Sequence, residues 1–265
     1  MDYLTDIIEH KKLEISTAKR DYPVEQLKDD IEKRRIKTRS LKESLISKTP
    51  AIIAEIKRKS PSKGELRAIK HPEIIAADYE FAGAAGISIL TDSKYFGGSL
   101  RDLEVINERI NIPLLRKDFI IDSYQVYESK AYGADAILLI TNCLELAQLK
   151  ELYNLAYNLE LEVLLETETE EDIRKVNSMD IEIIGINNRN LHTFDESITR
   201  SSDLVHFLPE KSIKISESGI TGAREIRDLH EKGFHGFLLG GTLMTSKNPG
   251  QKLEALINSF KQETA

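Results

Sequence analysis

An acid and a base stand two residues apart at the end of a short apolar run in this chain. The run spans residues 51–57, AIIAEIK, and its length and β-branched residues are typical of a buried parallel strand. Because side chains alternate along a strand, Glu55 and Lys57 would share one face while Ile56 takes the other. Buried charges are costly unless they are paired or used. The pair therefore indicates a polar cavity floor, with both groups as candidates for chemistry.

Polar residues also end most of the other apolar runs. These runs recur every two to three dozen residues after Pro50, at 86–91, 112–117, 135–140, 161–166, 181–187, 212–217 and 235–240. The residues at their ends are Lys117, Glu166, Asn187 and Arg189, Glu217 and Ser218, and Gly240 and Gly241. Any one of them has the ordinary explanation that a strand end meets water. Together they would converge on one mouth, since active sites of (β/α)8 barrels lie at the carboxyl ends of the strands.

The elements that would position these residues are eight strands alternating with helices. Amphipathic segments such as 145–158 separate the apolar runs. Eight such units can form a closed barrel or an open doubly wound sheet, and no GxGxxG follows the first run. We therefore favour the α/β class and a (β/α)8 TIM barrel, which at roughly 250 residues suits this chain. We expect one barrel domain over 1–265, in which 1–48 form an N-terminal helical extension packed on the barrel, with Pro23 separating two helices.

Composition excludes several classes of function. Lys and Arg total 37 against 44 Asp and Glu, and the net charge of -7 argues against broad affinity for nucleic acid or anionic membranes. No stretch approaches the roughly 20 apolar residues of a membrane span, and the first 20 residues lack a signal-peptide apolar region, so a cytoplasmic enzyme is expected. The single cysteine, Cys143, fits a reducing compartment. The six histidines form no close ligand pair, so no metal site is expected.

Two glycine-containing turns predict a phosphate site. Ser218-Gly219 and Gly240-Gly241 follow the last two strands, where many barrels bind phosphate through backbone N–H groups. Tight turns without a ligand would explain the same residues.

A basic segment near the N-terminus has two interpretations. Six Lys or Arg residues between 32 and 42 are either a solvated helix face, which the pattern favours, or a site for an anionic substrate or partner.

The motifs in order resemble those of the indole-3-glycerol phosphate synthase family over nearly the whole chain. They are AEIKRKSPSKG (54–64), SILTDSKYFGGSLRDL (88–103), PLLRKDFIIDSYQVYESKAYGADAILLI (113–140), IIGINNRNL (183–191), SESGI (216–220) and LLGGTLM (238–244). The resemblance implies a carboxy-lyase of tryptophan biosynthesis, EC 4.1.1.48. Its reaction closes 1-(2-carboxyphenylamino)-1-deoxyribulose 5-phosphate to indole-3-glycerol phosphate with loss of carbon dioxide and water. It implies no cofactor and a phosphorylated small molecule as partner. We expect no nucleic-acid or membrane partner, in line with the net charge, and a monomer or weak homo-oligomer.

The same resemblance implies a role for each matching residue. Lys117 would be the principal general acid, Glu166 its acid/base partner, and Lys57 with Glu55 would assist carboxylate binding and dehydration. Substrate would be positioned by Phe119, Asn187, Arg189 and Glu217, and phosphate would contact Ser60, Ser218, Gly219, Gly240 and Gly241. Gly241 stands where many relatives carry Ser, Thr or Glu, so a backbone contact is expected there.

Two other functions would also fit a phosphate-binding barrel. One is a different enzyme, such as phosphoribosylanthranilate isomerase or the tryptophan synthase α subunit. An Amadori-type isomerase would be expected to show a Cys/Asp pair, and the first strand has none. The other is a non-catalytic barrel that binds a phosphorylated ligand, and degenerate homologues of that kind typically lose their charged catalytic groups first. A turnover assay separates these hypotheses.

Overall fold

A closed barrel of eight parallel strands forms the centre of this computed structural model, which describes residues 3–34 and 38–264. The barrel strands are β1 (Ala51–Ile56), β4 (Gly86–Leu90), β5 (Leu114–Lys117), β6 (Ala136–Ile140), β7 (Glu162–Thr167), β8 (Ile183–Asn187), β9 (Ile213–Glu217) and β10 (Gly236–Leu239). Strand β10 closes the barrel on β1, with Ala51 opposite Gly236. The predicted (β/α)8 barrel is confirmed, and the open sheet is excluded. A short antiparallel ribbon, β2 (Lys59–Ser60) with β3 (Gly64–Glu65), follows β1.

Helices surround the barrel and precede it. They are α1 (Tyr3–Asp21), α2 (Val24–Arg34), α3 (Leu41–Ile46), α4 (Pro72–Phe81), α5 (Ser93–Phe96), α6 (Leu100–Asn107), α7 (Ser123–Ala131), α8 (Leu146–Asn158), α9 (Glu170–Val176), α10 (Thr199–Leu204), α11 (Ala223–Glu231), α12 (Gly241–Met244) and α13 (Pro249–Thr264). Two 3-10 turns span Thr141–Cys143 and Val205–Phe207. Over the described ranges, none of these helices has the length and apolarity needed to cross a membrane.

The first strand shows how the alternation of side chains separates core from site. Ile52, Ala54 and Ile56 pack in the larger apolar core that the helices share with the outside of the barrel. Ile53 belongs to the second core, which fills the barrel together with residues such as Leu164 and Leu238. Glu55 is also buried and lies on the same side of the strand as Ile53. The predicted division of faces is therefore confirmed.

The N-terminal helices contact both ends of the barrel. Leu4 of α1 packs in the inner core, and the Tyr95 hydroxyl, beyond the carboxyl end of β4, donates to the carbonyl of Asp6 at 3.2 Å. At the opposite end, the Ser44 hydroxyl of α3 donates to the carbonyl of Ala85, directly before β4, at 2.5 Å. The two helices divided by Pro23 are confirmed, whereas α3 was not predicted. One helix thus lies at the mouth and another closes the amino-terminal end.

The basic segment between 32 and 42 lies away from the mouth where the structure describes it. Arg35 and Lys37 fall outside the described residues. Arg39 forms an ion pair with Asp135 at 2.8 Å, and Asp135 directly precedes β6. Lys42 pairs with Glu182, directly before β8. These contacts tie the extension to the amino-terminal end of the barrel.

Candidate active site

The predicted site residues converge on one cleft at the carboxyl ends of the strands. The cleft has a volume of about 940 Å³, including the solvent at its opening. Its lining includes twelve of the thirteen predicted residues: Glu55, Lys57, Ser60, Lys117, Phe119, Glu166, Asn187, Arg189, Ser218, Gly219, Gly240 and Gly241. Glu217 is the exception, since it is fully buried and lies behind Lys117 rather than on the wall. The predicted convergence is therefore a property of the structure, while the roles of the residues remain predictions.

Lys117 lies between two carboxylates. Its ammonium donates to Glu217 Oε2 at 2.7 Å and to Glu166 Oε2 at 3.2 Å. Burial alone would lower the pKa of Lys117, but Glu217, Glu166 and Glu55 outweigh it and the net pKa is raised. Lys117 is therefore held as an ammonium, at the end of β5, with its charged group at the cleft.

Glu217 holds its proton more strongly than an exposed carboxyl group does. Burial and the neighbouring Glu166 raise its pKa to about 8, against the attraction of Lys117. Its Oε1 atom has no hydrogen-bond partner in the described structure. That oxygen lies against the backbone of Gly185 in β8, where a Cβ atom would come within 3.4 Å of the Glu217 Cδ atom. Glycine at 185 thus makes room for a buried carboxyl group that can carry a proton.

Glu55 and Lys57 form the second charged pair of the cleft. Lys57 Nζ lies 2.6 Å from Glu55 Oε1, and both side chains are largely buried. Burial would raise the pKa of Glu55, but Lys57 and Lys117 more than compensate, so the net pKa is lowered. Glu55 is therefore ionised, and it links the ammonium groups of Lys57 and Lys117 electrostatically.

Asn187 ends β8 and Arg189 follows it, and both side chains line the cleft. The Asn187 amide donates to Glu166 Oε1 at 3.0 Å, and its oxygen accepts from the backbone N–H of Arg189 at 3.0 Å. Arg189 pairs with Glu196 and donates to the Ser62 hydroxyl at 2.6 Å. Asn187 therefore orients the carboxylate of Glu166, while Arg189 connects the loop after β8 to the loop after β1.

An apolar wall lines part of the cleft. Phe119 and Phe96 line it, with ring centroids 6.2 Å apart, and Leu191 and Phe194 complete it. The Arg189 guanidinium lies 5.8 Å from the centroid of the Phe194 ring. Of these residues the sequence analysis named only Phe119. Phe96 ends the short helix α5, and Leu191 and Phe194 lie on the loop after β8. The sequence offered no signal for these three beyond their nearness to strand ends.

The loops after β1, β9 and β10 carry the predicted phosphate residues. Ser218 and Gly219 have φ angles of +67° and +73°, so their backbone forms a left-handed turn after β9. The hydroxyl of Ser60 accepts from the backbone N–H of Lys63 at 3.2 Å. Lys63 also lines the cleft, and its ammonium lies 3.7 Å from where a Cβ atom of Gly241 would stand. The sequence analysis missed Lys63, although its SPSKG segment was a visible signal.

The donor groups present do not suggest a metal centre. Within 3–34 and 38–264, no group of three or more His, Cys, Asp or Glu side chains could hold a metal ion. Burial raises the pKa of the Cys143 thiol, which argues for a protonated packing residue. The charged groups in the cleft are instead paired lysines and glutamates, which suit proton transfer and anion binding.

Comparison with known proteins decides the family. The family model described as "Indole-3-glycerol phosphate synthase" matches residues 4–256. The indole-3-glycerol phosphate synthase of Bacteroides thetaiotaomicron is 43% identical over 260 residues, covering 98% of this chain and 99% of that protein. The chain belongs to the indole-3-glycerol phosphate synthase family. The synthase of Polaromonas naphthalenivorans is 41% identical over 259 residues, covering 96% and 98% of the two chains.

Family membership confirms the resemblance drawn from the motifs. The protein is a carboxy-lyase of tryptophan biosynthesis that acts on a phosphorylated small molecule. A solved structure, 3-hexulose-6-phosphate synthase from Salmonella typhimurium, matches with a TM-score of 0.61 over 80% of this chain and 99% of that one. At 10% identity it shows the fold alone.

Proposed function

We propose that this cleft closes the indole ring of 1-(2-carboxyphenylamino)-1-deoxyribulose 5-phosphate, with Lys117 as the principal general acid. The observation that carries the assignment is the buried ammonium of Lys117 between Glu166 and Glu217, in a cleft that also has an aromatic wall. The aromatic ring of the substrate would lie on this wall. The ketone oxygen of the deoxyribulose chain would then face the ammonium of Lys117. The reaction consists of proton transfers and bond changes that these side chains can support.

In the first step the ring carbon that bears the carboxylate attacks the ketone carbon. The new carbon–carbon bond forms as the carbonyl electrons move to oxygen, which takes a proton from Lys117. A raised pKa keeps that proton on Lys117 until the strongly basic oxygen develops. Breaking the bond to the carboxylate then releases carbon dioxide and restores the aromatic ring.

The second step is loss of water. The hydroxyl group leaves with a second proton, and the neighbouring methylene carbon loses a proton to form the new double bond. We assign the first of these transfers to Lys57, held by Glu55 at 2.6 Å, and the second to Glu166, held by Asn187 at 3.0 Å. Glu217 acts through Lys117, because it contacts that ammonium and is buried away from the cleft.

Anionic groups at the two ends of the substrate fit the remaining residues. We assign the substrate carboxylate to Lys57 and Arg189, whose charges stand on the cleft wall. We assign the phosphate to Ser60, Ser218, Gly219, Gly240 and Gly241, with the added charge of Lys63. A tight turn that needs no ligand would also explain the backbone at Ser218-Gly219. The phosphate assignment is therefore tested separately from turnover.

A turnover assay tests the proposed function. The purified protein is mixed with 1-(2-carboxyphenylamino)-1-deoxyribulose 5-phosphate, and indole fluorescence is followed over time. We expect fluorescent product from the wild type and a much slower signal from Lys117→Met. Folded wild-type protein that binds the substrate without forming product would instead support a non-catalytic barrel.

We also propose that the enzyme works in the cytoplasm as a monomer or weak homo-oligomer, without nucleic-acid or membrane partners. One chain supplies every group of the cleft named above, which supports a monomer. The net charge of -7 argues against nucleic-acid and anionic-membrane partners, and the single cysteine fits a reducing compartment. Light scattering across a range of concentrations tests the oligomeric state. A stable oligomer at nanomolar concentration would refute it.

A further inference from the structure

A lysine of the N-terminal helix is buried behind the active-site wall. Lys11 of α1 is 1% exposed, and its Nζ atom lies 2.9 Å from Asp118 Oδ1, 3.1 Å from Asp92 Oδ2 and 3.0 Å from Glu14 Oε2. Burial alone would lower the pKa of Lys11, but Asp118, Asp92 and Glu14 outweigh it and raise the pKa. Lys11 is therefore a charged group in the interior, held by two buried carboxylates from different loops.

The two carboxylates control the loops that carry the aromatic wall. Asp92 follows β4, and its Oδ1 atom accepts from the backbone N–H groups of Tyr95 at 2.7 Å and Phe96 at 3.3 Å. Asp118 follows β5, and its Oδ1 atom accepts from the backbone N–H of Phe119 at 2.8 Å. Lys11 thus joins the two peptide segments that place Phe96 and Phe119 on the cleft wall.

The charges around Lys11 show why its loss would affect Asp92 more than Asp118. Asp118 also pairs with Arg116 at 3.1 Å, and Arg116 pairs with Glu128 at 2.8 Å. Asp92, by contrast, has Lys11 as its cation among the residues that the structure describes. Without Lys11 the carboxylate of Asp92 would be buried without a counter-charge, which favours movement of the β4 loop toward water.

We propose that Lys11 is a positioning residue for substrate binding, which holds the loops after β4 and β5 so that Phe96 and Phe119 form one wall against the aromatic ring of the substrate. The inference rests on the proposed function, because the ring is what the wall would meet. Lys117 is held by Glu166 and Glu217, which Lys11 does not contact. Loss of Lys11 should therefore weaken substrate binding more than it slows the chemical step.

The test compares Lys11→Met with Lys12→Met. Lys12 is the adjacent residue, is 59% exposed and pairs with Glu9 at 2.7 Å, so it is a matched control. Steady-state kinetics well below the melting temperature should show a KM raised about tenfold or more for Lys11→Met, equivalent to about 1.4 kcal/mol of binding. Its kcat should stay within about threefold of wild type. Lys11→Arg should recover part of the affinity, and Lys12→Met should match the wild type in both constants.

Two ligands, each resembling one end of the substrate, separate positioning from general destabilisation. Affinity for 2-anilinobenzoate, which carries the ring and the carboxylate, should fall in Lys11→Met, while affinity for glycerol 3-phosphate should not. A lowered melting temperature with KM and both affinities unchanged would refute the inference. If Lys11→Met does not fold, Lys11→Met/Asp92→Asn replaces it. This double variant has no uncompensated carboxylate at 92 but still lacks the Lys11 link between the two loops, so its KM should still rise, and an unchanged KM would refute the inference. A wild type that forms no indole product would refute the proposed function, whereas an active wild type with unchanged KM in the variant would refute this inference alone.

Discussion

The carboxylate of Glu55 occupies the space in which a side chain at Gly240 would begin. A Cβ atom at 240 would lie 2.8 Å from Glu55 Cδ and 3.0 Å from Lys57 Nζ. The contact arises because β10 closes the barrel beside β1, with Leu239 of the last strand opposite Ala54 of the first. Glycine at 240 is thus required by the Glu55–Lys57 pair whether or not its backbone binds phosphate.

This contact predicts that alanine lowers activity more at 240 than at the adjacent glycine, 241. Gly240→Ala should displace the Glu55–Lys57 pair and lower kcat/KM at least about tenfold, because the neighbour is a buried charged group that cannot simply move aside. Gly241→Ala is the comparison: it keeps the backbone N–H assigned to phosphate, and its Cβ atom would meet nothing nearer than Lys63 Nζ at 3.7 Å, so it should lower kcat/KM less than Gly240→Ala does. Kinetics and melting temperature are measured for both. Equal activity of the two variants would contradict the stated role of Gly240.

Lys117→Met should lower turnover by roughly two orders of magnitude or more, as loss of a general acid commonly does. The substitution also leaves Glu166 and Glu217 without their shared cation, so the variant should be less stable at pH 8 than at pH 6, where Glu217 takes up a proton. Turnover is therefore compared at pH 6 on folded protein, beside Lys57→Met. A raised KM with turnover unchanged would make Lys117 a binding residue and move the search for the acid to Lys57.

Glu166→Gln should reduce turnover more than affinity. The amide keeps the shape of the carboxylate but cannot shuttle a proton, and it can accept from only one of Lys117 and Asn187 where Glu166 accepts from both. Stopped-flow binding and steady-state turnover on one preparation distinguish the two effects. Near wild-type turnover across the pH range would show that Glu166 is only a structural partner of Lys117.

Glu217 predicts a pH dependence of stability. Its pKa of about 8 lies above the ordinary value of 4.5, so the folded protein binds a proton that the unfolded chain has released between these values. This contribution is fully present below pH 4.5 and is lost as the pH rises through 8. Between pH 5 and pH 9 the free energy of unfolding should therefore fall less in Glu217→Gln than in the wild type. The difference between the two decreases should be at least about 1 kcal/mol.

Urea denaturation at the two pH values measures this difference. Glu254→Gln is the control, because Glu254 is exposed on α13. The same pH dependence in the wild type and in Glu217→Gln would show that another group is responsible.

Lys63→Ala should raise KM about tenfold, because a charge-assisted contact to phosphate is worth about 1.5–3 kcal/mol. The effect should shrink at high salt, since Lys63 is exposed at the cleft edge. Affinity for glycerol 3-phosphate should fall as well, whereas affinity for 2-anilinobenzoate should stay constant. Lys70→Ala, at another exposed lysine, is the control. An unchanged affinity for glycerol 3-phosphate would remove Lys63 from the phosphate site.

Local pattern determined which residues face the site. The eight apolar runs appear as the eight barrel strands, and the two-residue alternation placed Glu55 and Lys57 on the inner face without any knowledge of the neighbours. Strand position and side-chain direction are short-range properties, set by backbone geometry and by the burial of apolar residues. Charged strand ends, in a fold whose sites lie at those ends, were therefore sufficient to name Glu55, Lys57, Lys117 and Glu166 as cleft residues.

Partners across the barrel were decided by tertiary structure alone. Lys117 and Glu217 are separated by 100 residues, and nothing in either sequence neighbourhood predicts that Glu217 lies behind Lys117 instead of on the cleft wall. The same holds for Lys11, whose burial depends on how α1 docks across the loops after β4 and β5. Periodicity gives the face of a strand or helix, but the neighbour of a side chain depends on strand register, barrel closure and loop path, which only the folded chain specifies.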